Sequence, residues 1–264
     1  MKTVFDRKEL TEPALFGPAD TTKPVEHFPE LCVSTFSGPI IHKFASLDQT
    51  EVIASLGTAN GSVPVYRLRH RGQEIAFYLS LVGAPACVAG FEEIVAMGAK
   101  KFVLFGSCGV LDDEAVKGRI IIPVSAIGNI IVPTAAVRDE GTSYHYAPPA
   151  PEIEADQRSV AVLEQVLNDL KCPYVKGKTW TSDAIYRETV PVIGERRSEG
   201  CLAVEMECAS MIAAARYRGI PFIQFLYGAD SLSADGWEIR DLAAYGADAA
   251  EKYMLLAFEC ALRM

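Results

Sequence analysis

Two carboxylates separated by one methionine, Glu205, Met206 and Glu207, close the apolar run of CLAVEMECAS at residues 201–210. A carboxylate held at a strand end accepts hydrogen bonds from two vicinal hydroxyls, and a methionine packs on a sugar face as a soft apolar wall, so the trio fits a ribose. The plainer alternative for Glu207 is a carboxylate in the first turn of a helix, stabilised by the helix dipole. Asp230 ends a second apolar run, PFIQFLYGAD. It either caps the next element or, partly buried with a raised pKa, acts as a general acid. In GSCG, Gly106 and Ser107 belong to a small-residue turn that lets backbone amides approach an anion or a sugar, at a spacing that matches neither a Walker loop nor a dinucleotide fingerprint. In WTSDAIYRE, Trp180, Ile185 and Tyr186 suit either a core or a platform for a base, and Asp183 is a turn residue or a pocket carboxylate. His145, in the polar and aromatic DEGTSYHY, belongs to a surface loop or to the pocket. Cys108 has no histidine placed near it and reads as a buried thiol.

These residues need elements to hold them. VPVYRLRHRGQEIAFYLSLVG alternates about Arg71-Gly72 as a hairpin does. Residues 85–98 have helical periodicity from Pro85 to Gly98, and strand KFVLF comes next. β-Branched strand material spans 118–132, a helix starting at an Asp spans 156–170, and YVKGKTW is extended. A helix over 206–218 stops at Gly219, PFIQFLYGAD is a buried strand, and a closing helix spans 240–263. The alternation predicts a single-domain, three-layer α/β/α fold with a mixed, largely parallel central sheet. Residues 1–61 are expected to be an N-terminal arm and edge segment of the same domain, and 62–264 its core. In such sheets ligands bind beyond the carboxyl ends of the strands, where the polar motifs fall.

A net charge of -9 without a basic cluster argues against nucleic acid and anionic lipid as partners. Seven scattered cysteines without a C-x-x-C pair suggest reduced thiols and no metal site. No apolar leader and no run of about 20 apolar residues is present, which points to a cytoplasmic protein with no membrane partner.

GSCG after a strand, VEME before a helix and an Asp closing the next strand, in this order, resemble the nucleoside phosphorylase and nucleosidase family, which includes purine nucleoside phosphorylase, uridine phosphorylase and methylthioadenosine nucleosidase. The resemblance covers roughly residues 62–263, with VEME its most specific element, and VGAPAC and AVRDEGTSYHYAP look like further family segments. It implies cleavage of a nucleoside N-glycosidic bond through an oxocarbenium-like transition state, without a cofactor and with inorganic phosphate as co-substrate. Carried over, Glu207, with Met206 and Glu205, would grip the ribose, and Ser107 with Gly106 would lie by the phosphate or the attacking water. Asp230 would protonate the base, with Tyr186 or Ile185 stacking on it. Asp230 favours purines, whereas DEGTSYHY favours uridine. The family's arginine two residues before the Gly of GSCG is replaced by Leu104, which leaves Arg187 and Arg138 as substitute cations. The alternatives are a hydrolytic nucleosidase that needs no such cation, and a non-catalytic nucleoside-binding protein. The resemblance further implies a homo-oligomer, a dimer or a trimer of dimers.

Overall fold

The computed structural model describes residues 3–6, 10, 12–112, 130–233, 236–239 and 250–264. The strand material expected at 118–129 and the start of the helix expected at 240 lie outside them. The strands are β1 (Leu31–Thr35), β2 (Glu51–Thr58), β3 (Gly61–His70), β4 (Gln73–Leu79), β5 (Lys101–Val110), β6 (Ile130–Asp139), β7 (Glu152–Glu154), β8 (Tyr174–Ser182), β9 (Cys201–Glu205), β10 (Phe222–Ser233) and β11 (Gly236–Ile239). The helices are α1 (Pro18–Thr21), α2 (Gly38–Ala45), α3 (Ala84–Met97), α4 (Gln157–Asp169), α5 (Val190–Ser198), α6 (Cys208–Arg218) and α7 (Ala250–Arg263).

Local chemistry sets most boundaries. Arg71 and Gly72 both take positive φ, 48° and 83°, which matches the twist of β3 and β4 on either side. Asp156 caps α4 by accepting from Ser159 N at 2.8 Å. Gly219, left-handed at φ 67°, ends α6.

One sheet runs β11-β10-β6-β8-β9-β5-β1-β4-β3-β2, and β10 also pairs with β5. The ladder therefore returns on itself through β5, β9, β8, β6 and β10, a closed ring within the sheet. Cys108, Val110, Ile131, Ala203 and Leu226, from four of those strands, pack together with Val175 of the fifth. Outside the ring lie two layers. Side chains of α2, α4 and α7 pack with Val33, Phe105 and Phe225, while those of α3 and α6 pack with Cys32, Phe102 and Leu104. The three-layer α/β/α fold is as predicted.

The expected arm over 1–61 is corrected by β1. Leu31–Thr35 is a buried, central strand, parallel to β4 on one side and to β5 on the other. Residue 61 starts β3 inside the hairpin with β2, so no boundary lies there. The short run LCVST carries no periodicity beyond five residues, and so was hidden among prolines and threonines. Among the described residues no helix is long and apolar enough to cross a membrane.

Candidate active site

The parallel strands β1 and β4 end together, Thr35 in register with Leu79, while β5, whose Phe105 lies in register with Thr35, runs on to Val110. Beyond them start α2, with Ser37 as its N-cap residue, and α3, with Gly83. Gly83 holds φ 96°, a conformation that side-chain-bearing residues rarely take. There its amide points at Glu207, whose Oε1 accepts the hydrogen at 2.6 Å. Glu207 is buried, and Met206 beside it is half-buried. Burial pushes the Glu207 carboxyl upward, and the charges of Glu205 and Asp183 add to that shift.

Glu205 is placed differently from the sequence expectation. Its Oε1 accepts from Thr181 Oγ1 at 2.6 Å, and its Oε2 accepts from the amides of Glu207 and Cys208 at 2.7 and 2.6 Å. A buried carboxylate with three donors is committed to the protein, which leaves Glu205 little acceptor capacity for a ligand. Burial raises its pKa and those three donors oppose the rise.

GSCG is not a turn. Gly106, Ser107 and Cys108 lie inside β5, in parallel register with Leu226, Tyr227 and Gly228 of β10. The small residues answer to packing: a Cβ on Gly106 would stand 2.7 Å from the ring of Phe36. Ser107 is half-buried and points to the opposite strand face, the one Phe105 occupies. Ser80 at the end of β4 donates to Ser34 of β1 at 2.9 Å. Leu104 is fully buried among apolar side chains of the α3 and α6 layer.

Asp230 also lies within its strand rather than at a helix start, so it caps nothing. Its Oδ2 accepts from Trp237 Nε1 of β11 at 2.8 Å, and its Oδ1 would be 3.5 Å from a Cβ on Gly109. Burial raises the Cys108 thiol well above its ordinary value, and the charges of Glu205 and Asp230 reinforce it, which fits a thiol inside the ring between the two carboxylates. Glu188, which no sequence motif singled out, joins them. Burial, then the charge of Asp230, pushes its carboxyl up to about 7. Its only sequence signal was membership of the polar run WTSDAIYRE.

Other expected site residues scatter. Trp180 is core: it is 2% exposed, packs with Val137, Cys201 and Val204, and donates to Asp139 at 3.0 Å. That excludes a base platform. Arg138 is buried and spends its guanidinium on Ser143 Oγ and the carbonyls of Ala147 and Pro148 while lying 3.9 Å over the Tyr144 ring. It is a structural brace rather than a free cation. Ile185, Tyr186 and Arg187 form an exposed 3-10 turn next to Glu188, and Asp183 is exposed and accepts from Gly141 N at 3.0 Å. His145 is exposed at the end of the turn Thr142–His145. Among the described residues no group of three or more His, Cys, Asp or Glu is arranged to hold a metal ion. A cavity of about 500 Å³ lies elsewhere, between α4, α6 and the first residues of β10, and none of these carboxylates lines it.

Comparison with known proteins gives the fold and the family of the chain. A guanosine phosphorylase from Halorubrum lacusprofundi is 26% identical over 177 residues, covering 66% of each chain, so the match spans slightly under two thirds of that relative. In fold, a uridine phosphorylase from Vibrio fischeri superposes with a TM-score of 0.72 at 20% identity, covering 92% of this chain and 95% of the other. An AMP nucleosidase from Bacteroides thetaiotaomicron superposes at 0.67 and 19% identity, covering 89% and 88%. A sequence profile for the phosphorylase superfamily matches residues 30–258, most of the chain including β1, and the protein therefore belongs to that superfamily.

Proposed function

We propose that this protein is an enzyme that cleaves the N-glycosidic bond of a nucleoside by phosphorolysis, releasing free base and ribose 1-phosphate. The observation that carries the reading is the buried Glu207 carboxylate, fixed on the Gly83 amide with Met206 beside it. A carboxylate offers about four acceptor positions, so the amides of Gly83 and Met206 still leave capacity for two vicinal hydroxyls. Hydrogen bonds from those hydroxyls strengthen as positive charge develops on the ribosyl ring, which favours the transition state over the ground state.

In the proposed reaction the C1′–N bond breaks with its electron pair leaving on the base. A nitrogen of the base takes a proton from the Asp230 and Glu188 pair, and a phosphate oxygen bonds to C1′. Glu188, with a pKa near 7, holds a proton at neutral pH that an ordinary carboxyl would have lost. An acid at this place suits a purine, whose leaving nitrogen is strongly basic once the bond lengthens. The candidate groups for the acceptor are Ser107, half-buried on β5, and Ser37 with the amides at the start of α2. Arg187, exposed on the adjoining turn, is the remaining candidate cation of the two proposed from the sequence. A dimer or trimer of dimers is part of the same proposal.

A specific observation favours a second reading, hydrolysis. Leu104 is buried in apolar packing and Arg138 is fully engaged, so neither supplies the guanidinium fork that a phosphate dianion ordinarily needs. A chromatographic assay with inosine, adenosine, guanosine and uridine, each with and without phosphate, separates the two. Ribose 1-phosphate formed only with phosphate supports phosphorolysis, and free ribose regardless of phosphate supports hydrolysis. No base from any of the four removes the proposal for these substrates.

A further inference from the structure

Glu207 is the N-cap residue of α6, the position whose side chain ordinarily turns back to accept from the first amides of its own helix. Its carboxylate makes no such bond and reaches across to Gly83 instead. Two other residues take the amides. Glu205 Oε2 accepts from Glu207 N and Cys208 N, and Thr181 Oγ1 accepts from Ala209 N at 2.9 Å while donating to Glu205 Oε1. Thr181 and Glu205 stand side by side because β8 and β9 are parallel with these residues in register.

We propose that Thr181 and Glu205 are positioning residues, a surrogate cap that satisfies the start of α6 from the neighbouring strands and thereby leaves the Glu207 carboxylate free for the sugar. The inference rests on the proposed ribose role of Glu207. Without the surrogate, the unpaired amides of Cys208 and Ala209 are the nearest strong donors to Glu207. A carboxylate drawn to them leaves Gly83 and loses the hydroxyls. The pair thus sets the preference for ribonucleosides over 2′-deoxyribonucleosides, although neither residue touches the sugar.

The test is sugar discrimination in Thr181→Val, which keeps side-chain shape and removes the hydroxyl. Turnover, and calorimetric binding where turnover is too slow, are measured on inosine and 2′-deoxyinosine or whichever pair the parent accepts. The expected result is a fall of about 10- to 100-fold in kcat/KM for the ribonucleoside, with a smaller fall, below about tenfold, for the deoxy substrate, which keeps only the 3′-hydroxyl contact to Glu207. Thr181→Ser should restore the parent ratio. Equal losses on both substrates, or none on either, would overturn the proposal and leave Thr181 as a purely structural cap. Glu207→Ala is measured alongside. If it leaves the ribose preference unchanged, or if the parent neither binds nor cleaves either substrate, the ribose role fails and takes the surrogate cap with it. If Glu207→Ala abolishes the preference while Thr181→Val keeps it, only the surrogate cap fails. Should Thr181→Val not fold, Thr181→Ala, which removes the same hydroxyl with a smaller side chain, is judged by the same ratio.

Discussion

Glu205 and Glu207 are identical in type and two residues apart, yet their surroundings give them different work. Glu205 meets three donors, whereas Glu207 meets the Met206 amide beside it and the Gly83 amide across a gap between elements. Burial raises the Glu207 carboxyl above its ordinary value of 4.5, so the fold tolerates its neutral form better than its charged one. The stability linked to this group is then fully present below the unfolded value and is lost as pH rises through the folded one. Glu207→Gln stays neutral throughout. Its melting temperature should exceed the parent's at about pH 8, with the gap closing by about pH 5, in a thermal melt series. Glu188 predicts a kinetic effect instead. With its carboxyl near 7, kcat should fall as pH rises past that value, and Glu188→Gln should flatten this limb and lower the plateau by about 10²-fold. A pH–rate profile with the preferred substrate decides it. Trp180 and Arg138 mark the limit of reasoning from residue type, because an indole or a guanidinium serves a core as well as a pocket, and only their neighbours separate the two uses.

At the scale of elements, capping and turn chemistry were legible in the sequence. Asp156, Gly98, Gly219 and the Arg71-Gly72 turn each stand where a local backbone requirement puts them. Asp156→Ala should cost about 1 kcal/mol in urea unfolding, since it leaves the Ser159 amide and hydroxyl without their acceptor. GSCG misled because small residues serve a turn and a crowded strand equally, and the Phe36 ring that crowds Gly106 comes from a distant part of the chain. A related ambiguity surrounds β6. Residues 118–127 and 128–137, GRIIIPVSAI and GNIIVPTAAV, carry Gly, Ile-Ile, Pro and Ala at matching places. β6, Ile130–Asp139, falls on the second of these two stretches and runs two residues beyond it.

For the whole molecule, closure of the ring is what brings the carboxylates together. β10 pairs with β5 on one side and β6 on the other, so Asp230 arrives over Gly109 while β9 delivers Glu205 and Glu207 beside the same strand. The aromatic packing on the α7 face keeps β5 and β10 in register. Phe105 and Phe225 stack at 5.1 Å with planes 4° apart, both without solvent exposure. Phe105→Ala should destabilise by about 3–5 kcal/mol through lost transfer energy and the cavity left behind. Equilibrium urea unfolding measures it. A loss below about 1 kcal/mol would mean that neighbouring rings collapse into the space.

The sequence by itself determined the alternation of strands and helices, the hairpin, the caps, the α/β/α class and the apolar run that ends in Glu205-Met206-Glu207, because each depends on residues within a few positions of one another. Tertiary structure decided the central place of β1, the ring, the strand setting of GSCG, the arrival of Glu188 beside Asp230 and the division of labour between Glu205 and Glu207. Those features depend on which strand lies next to which. Pairing joins residues 24 or more than 100 positions apart, as between Thr181 and Glu205 or Gly83 and Glu207, and no local pattern encodes such a partner.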